Sequence, residues 1–260
     1  MRVPEPNGVA IDCNDLSVDR RGRGTLTRAV DGVTAQLLSG ETLCIAGPTG
    51  SGKSSLVAAL AGVRDGTVHV SGGDATVTGI SVRNPGRAHR VLTFRAGYLP
   101  QGAGATLPAR LTIDEVISEP IVARDRKVNR RALAVRVAAL LDEMHLPLGA
   151  ASKFPYELSA GMRQRVAFAR ALILDPRVLI ADDPLANVGV EVRHAIFDAI
   201  RRRQQQWQMA SLVVTNDPDF ARELNGDRLI LRAGHVVATG DAKELTWTPG
   251  AKSSDTLLVS

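Results

Sequence analysis

Nine consecutive residues, Gly47-Pro48-Thr49-Gly50-Ser51-Gly52-Lys53-Ser54-Ser55, fit the pattern G-x-x-x-x-G-K-[ST]. Glycines let a backbone wrap closely around an anion, so that successive N–H groups point at phosphate oxygens. In such a loop Lys53 reaches the β- and γ-phosphates and the Ser54 hydroxyl ligates Mg²⁺. An apolar run at residues 42–46 leads in and an Ala/Leu/Val-rich stretch at 54–61 leads out, the strand and helix such a loop requires. The loop implies a nucleoside triphosphate and little more, because many unrelated functions share it. A second candidate lies at Asp182-Asp183, where the apolar run 178–181 ends in two carboxylates. Behind a phosphate loop, the first Asp of such a pair sits near Mg²⁺. The second sits near the γ-phosphate, where it can polarise a water. The same residues also suit an ordinary acidic turn at a strand end.

These groups need a scaffold, and 260 residues suffice for a proper core. Residues 9–38 read as β strands broken by the turn at 20–24, and residues 67–70 and 75–77 as a hairpin around Gly72-Gly73. Residues 92–99 read as a strand ending at Pro100-Gln101. Beyond a loop at 102–110, residues 112–122 and 129–145 show helical periodicity, and 159–174 is a further helix with Arg163, Arg165 and Arg170 on one face. Residues 178–181 and 211–215 read as buried parallel strands. Between and after them come helices at 190–208 and 217–224, and strands at 228–232 and 235–239. Residues 1–8 and the tail 246–260 read as loose ends.

Composition adds bounds. The net charge is +5 and aromatic residues make up 3% of the chain, too few for the stacking platforms of a single-strand nucleic-acid binder. The basic clusters at 124–131 and Arg201-Arg202-Arg203 suit solvated charge, or contact with a partner or lipid headgroups. Cys13 and Cys44 have no metal-ligand spacing, and Cys44 reads as a buried apolar residue. No apolar signal segment and no membrane-spanning run is expected.

The stretch Leu158-Ser159-Ala160-Gly161-Met162-Arg163-Gln164-Arg165 opens a helix with Ser159 as a natural N-cap. It resembles the signature L-S-x-G-x-x-Q-R of the ATP-binding-cassette (ABC) ATPases. The order of motifs is similar too: phosphate loop, Tyr98-Leu99-Pro100-Gln101 like the family's Q-loop, signature, Walker B strand, and a switch position at Asn216. The resemblance covers residues 11–245. It implies an α/β P-loop NTPase of ABC type, with a mixed sheet core, an antiparallel β subdomain and a helical insert at about 102–170, all in a single domain at 1–245. It implies ATP and Mg²⁺ as ligands. Residues 47–55 would bind the nucleotide, Ser54, Gln101 and Asp182 the metal, and Asp183, Gln101 and Asn216 would serve catalysis. Two cassettes would pair head to tail, each ATP lying between one chain's phosphate loop and the other's Leu158, Ser159, Ala160 and Gly161. The helical insert would receive the coupling helix of a membrane permease.

Four departures bear on hydrolysis. Where the family carries a catalytic Glu, this chain has Asp183, one methylene shorter. Misplacing a reacting water by about 1 Å costs on the order of 10²-fold in rate. The switch His is replaced by Asn216, which hydrogen-bonds but carries no positive charge. The D-loop reads Ala186-Asn187-Val188-Gly189 and lacks its Asp. Residues 18–23 offer no ring to stack on adenine, leaving Arg20 or Arg21 for that role. The expectation is an asymmetric pair: this chain's own site turns over slowly, and its signature completes the site of a different, fully equipped cassette.

The wording of residues 154–165 and 111–120 is similar to ATPase subunits of bacterial oligopeptide, dipeptide and nickel importers. That similarity implies an importer of peptide-like substrates on the cytoplasmic face of the inner membrane. Its partners would be permease subunits and an extracytoplasmic substrate-binding protein, with no nucleic acid. The alternatives are a soluble, regulatory or nucleic-acid-linked ABC ATPase, and a fully active homodimeric cassette.

Overall fold

The structure is a computed structural model that describes residues 8–22, 24–185, 188–241 and 244–247. β1 (Val9–Arg21) and β2 (Leu26–Leu38) form a long antiparallel hairpin, and β3 (Thr42–Ala46) runs into the phosphate loop and α1 (Lys53–Leu60). β4 (Val68–Val77) and the short β5 (Ile80–Ser81) complete a four-stranded antiparallel sheet in the order β2-β1-β4-β5. After α2 (His89–Arg95) and β6 (Ala96–Leu99), the chain enters the helices α3 (Ile113–Val122), α4 (Arg130–Glu143) and α5 (Ala160–Leu172). It then returns through β7 (Val178–Asp182), α6 (Val190–Trp207), β8 (Ala210–Val214), α7 (Pro218–Glu223), β9 (Asp227–Arg232), β10 (His235–Gly240) and β11 (Leu245–Trp247). The larger sheet has the order β11-β10-β9-β3-β8-β7-β6. It is parallel from β9 to β6 and antiparallel at β10 and β11, and so mixed.

Helix boundaries follow local chemistry. Thr112 and Glu115 form a reciprocal capping box on α3, Asn129 caps α4, and Asp217 caps α7 ahead of Pro218. Every residue of β7 and β8 is buried, as expected of strands covered on both faces. Their side chains divide strictly by alternation. Val178, Ile180, Leu212 and Val214 join a core shared with α1 and the antiparallel sheet. Leu179, Ala181 and Val213, with Cys44 of β3, join a core filled from α3, α4, α5, α6 and α7.

Four expectations need correction. Gly72-Gly73 is not a hairpin turn: both glycines lie inside the continuous β4, at an irregularity in its pairing with β1. A Cβ on Gly73 would stand 2.0 Å from the Asp15 carbonyl oxygen, so the glycine marks a close backbone approach. Residues 92–95 are helical rather than extended. The pattern of α2 is set by Leu92, which is fully buried against Gly62, while its neighbours Val91 and Phe94 are exposed. Residues 246–247 are not loose but pair with β10; the remainder of the expected tail and residues 1–7 lie outside the described residues. Finally, Arg203 is not solvated charge. It is 4% exposed, and on α6 it forms an ion pair with Glu143 at the end of α4 and lies over the Trp207 ring. The arginines of α5 are also tethers: Arg165 donates to the Met144 and His145 carbonyls, and Arg170 pairs with Glu119 on α3.

The Arg203–Glu143 pair fastens the helical layer to α6, and breaking one half leaves a buried, uncompensated charge. Glu143→Ala is therefore expected to lower unfolding free energy by roughly 3 kcal/mol in urea titration. Arg28→Ala, which removes exposed pairs with Asp19 and Asp31, is expected to leave the urea midpoint close to wild type.

Candidate nucleotide site

The loop between β3 and α1 is shaped by backbone approaches that only glycine permits. A Cβ on Gly47 would lie 2.0 Å from the Leu231 carbonyl oxygen, and one on Gly52 would lie 2.1 Å from that of Ala29. Both glycines also have positive φ, 145° and 103°. The Gly234 N–H in the β9–β10 turn donates to the Ser51 carbonyl at 3.0 Å, pinning the loop from the other side. The Lys53 ammonium folds over the loop and donates to the carbonyls of Gly47 (2.6 Å) and Pro48 (2.9 Å) and to Ser51 Oγ (3.3 Å). No side chain caps α1, whose N-cap Gly52 is left-handed. Its first-turn amides are thus left to a ligand, and an anion is the ligand the helix dipole favours.

The loop forms one wall of a cleft of about 630 Å³. Residues 49–55 line it, together with Gln101, Asp182, Asp183 and Asn216. Gly47 and Pro48, which open the loop, do not line the cleft; their carbonyls accept from Lys53. Asp182 is the last residue of β7, in register with Val214 of β8, and is 2% exposed. Asp183 follows in a left-handed conformation (φ 53°), its N–H held by the Val214 carbonyl at 3.0 Å. That uncommon backbone turns two successive carboxylates into the cleft instead of to opposite sheet faces.

Burial dominates the electrostatics. It pushes the Asp182 carboxyl above its usual range; a hydrogen bond from Ser54 opposes the shift and the neighbouring Asp183 adds to it. Asp183 is likewise raised by burial and drawn back by Lys53. Lys53 is lowered by burial and drawn up by the two carboxylates. Ser54, Asp182 and Gln101 together present oxygen donors in one cleft, a set that suits a hard cation such as Mg²⁺.

The switch position does something the sequence did not announce. Asn216 Oδ1 accepts from the Gly47 N–H at 3.0 Å, so Asn216 holds the start of the phosphate loop. Thr27, Arg28 and Ala29 of β2, Thr215, and Ala233 also line the cleft and carried no motif. Of the two arginines considered for adenine, Arg20 lines this cleft, whereas Arg21 lines a separate hollow with Leu26 and Val68. The signature residues lie elsewhere. Ser159 caps α5 by accepting from Met162 N–H at 3.2 Å, and none of Leu158, Ser159, Ala160 or Gly161 lines the cleft. Ala186 and Asn187 of the D-loop lie outside the described residues. A smaller hollow of about 390 Å³, between α6, α7 and the start of β3, contains none of these groups.

A carboxyl whose folded pKa is raised favours folding when protonated. That contribution is present below the unfolded pKa and is lost as pH rises through the folded value. Nucleotide-free Asp182→Asn, which has no charge to bury, is therefore expected to melt above wild type at neutral pH. The difference should close as pH falls to about 4. A neutral-pH melting temperature at or below wild type would contradict the assignment of burial as the dominant cause.

Comparison with known proteins agrees with this geometry. Residues 30–186 match the family model described as ABC transporter. The chain is 34% identical over 233 residues to the oligopeptide transport ATP-binding protein OppD of Mycobacterium tuberculosis, covering 88% of this chain but only 37% of that protein. It is 32% identical over 248 residues to a putative peptide import ATP-binding protein of Brucella abortus, covering 95% of this chain and 73% of that one. Among solved structures, the dimeric, post-hydrolysis ATP-binding cassette MJ0796 bound to ADP and Pi superposes with a TM-score of 0.81. That match covers 90% of this chain and 99% of the cassette at 22% identity, and so speaks for the fold. With the loop, the paired carboxylates and the signature helix all in place, the chain belongs to the ABC transporter family.

Proposed function

We propose that this chain is the ATP-binding and ATP-hydrolysing subunit of a bacterial importer of peptide-like substrates. The observation that carries the reading is the single cleft that unites an uncapped helix N-terminus, Lys53, Ser54, Gln101 and two buried-edge carboxylates. Loop amides and Lys53 bind the β- and γ-phosphates of ATP, and Arg20 provides a flat cationic face toward the base. Ser54, Asp182 and Gln101 hold Mg²⁺, which when bound neutralises charge on the phosphates. Asp183 then accepts the proton of the attacking water; its raised pKa suits a base, and its short side chain keeps that step slow.

The partner is a second cassette, a different chain, paired head to tail. In support, Ser159 to Gly161 stand outside this chain's own cleft at the start of α5, where a helix dipole can meet a phosphate held by another chain. The single domain at 1–245, with its helical subdomain at about 102–170, would dock on permease subunits at the cytoplasmic face of the inner membrane. A substrate-binding protein outside would deliver the cargo. The named relatives are peptide transport and import ATP-binding proteins, and among the described residues no helix is long and apolar enough to cross a membrane.

Two variants test this in the complex purified with its partner. Lys53→Ala is expected to abolish ATP binding at this chain's loop, read by ATP-analogue photolabelling. Ser159→Arg is expected to leave that labelling intact while lowering turnover of the whole complex by on the order of 10²-fold. Normal labelling of the lysine variant, or undiminished turnover of the serine variant, would refute the respective role.

A further inference from the structure

We propose that Gln164 is a positioning residue that ties the signature helix to both catalytic arms of this chain's own cleft. The inference rests on the ATP-hydrolysing reading above and assigns a role to a residue outside the cleft. Gln164 lies on α5, one turn beyond the Ser159 cap, and is 6% exposed. Its Oε1 accepts from the Gly104 N–H at 3.1 Å, and its Nε2 donates to the Pro184 carbonyl at 3.0 Å. Gly104 follows Gln101 by three residues, and Pro184 follows Asp183 directly. One planar amide therefore spans the segment that carries Gln101, the segment that carries Asp183, and the helix that carries the signature.

Its surroundings make the bridge specific. Gly104 and Pro184 are themselves buried, so neither backbone group has water as a substitute partner. A Cβ on Gly104 would lie 2.7 Å from the Gln164 nitrogen and 2.9 Å from its Cα. The backbone of the Gln101 segment thus lies directly on α5, with no room for a side chain. The amide needs one acceptor and one donor at fixed places, which Gln supplies and Glu, when ionised, does not. A shift of α5, brought about by a nucleotide that the partner presents to Ser159, is passed through this amide to Gln101 and Asp183. Gln164 does not line the cleft; it sets where Gln101 and Asp183, which do, stand.

The test uses the complex purified with its partner, whose own catalytic carboxylate is replaced by an amide so that it binds but does not hydrolyse ATP; kcat then reports this chain's slow site and is read with KM for ATP and ATP-analogue binding. Gln164→Met, similar in length but unable to bond, is expected to lower kcat by on the order of 10²-fold. KM and analogue binding should stay within about threefold of wild type, because the phosphate loop is untouched. Gly104→Ala approaches the same bridge from the other end and should show the same split; it carries the test if the methionine variant fails to fold. Gln164→Glu adds a signature that a merely structural role lacks. Its carboxyl can donate to Pro184 only when protonated, so turnover relative to wild type should recover as pH falls from about 8 to about 6. Unchanged kcat in a folded Gln164→Met or Gly104→Ala complex, or a Gln164→Glu profile parallel to wild type, would overturn the proposal alone. A wild-type chain that binds no ATP would overturn the functional reading and this inference with it.

Discussion

A phosphate-binding loop is a ring of amide donors, and a ring of donors repels itself unless something holds it. Here the hold is backbone on backbone. Gly47 lies against the Leu231 carbonyl, Gly52 lies against that of Ala29, and Gly234 bonds the Ser51 carbonyl. The Lys53 ammonium gathers the carbonyls of Gly47 and Pro48, and Asn216 takes the Gly47 amide. Each of these clamps belongs to a different element: β9, β2, the β9–β10 turn, α1 and the end of β8. The order of the mixed sheet, with β3 between β8 and β9, brings them to one place. The antiparallel sheet supplies the Ala29 wall, and the core shared with α1 keeps that wall in contact.

The parts legible in the sequence were those where one physical signal dominates. The glycines and lysine of the loop, the apolar runs of β7 and β8, and the cap Ser159 each stood alone in their segment. What escaped were positions where tertiary contact overrode local pattern. Gly72-Gly73 has the composition of a turn, but β1 runs alongside and draws both residues into a strand. Leu92 and its neighbours fit a strand or a helix equally well, and packing under Gly62 chose the helix. Arg203 sits in a basic run, yet Glu143, sixty residues away in sequence, meets it inside the protein. Thr27 and Ala29 could not be found because a cleft wall made of β-strand edges has no motif.

The site itself divides by purpose. Everything that grips a triphosphate is present and braced: the loop, the uncapped α1, and Ser54 bonded to Asp182. Two of the three positions expected to serve catalysis differ from the family's residues: Asp183 stands for a longer carboxylate and Asn216 for an ionisable ring, while Gln101 is kept. Asn216 is occupied in holding Gly47, a task that serves binding rather than turnover. Asp183 nevertheless faces the cleft from a left-handed backbone, a conformation that costs free energy and that persists because β8 fixes it. In the function proposed above, the chain acts as an ATP-gripping clamp whose signature helix completes another chain's reaction.

That claim meets its most direct test in steady-state ATP turnover of the complex purified from its native host, with and without Asp183→Ala. The account predicts unchanged turnover, because the partner cassette performs the hydrolysis and this site serves as a slow clamp. Loss of turnover would contradict it: the short carboxylate would then be the working base, and this chain would hydrolyse its own ATP.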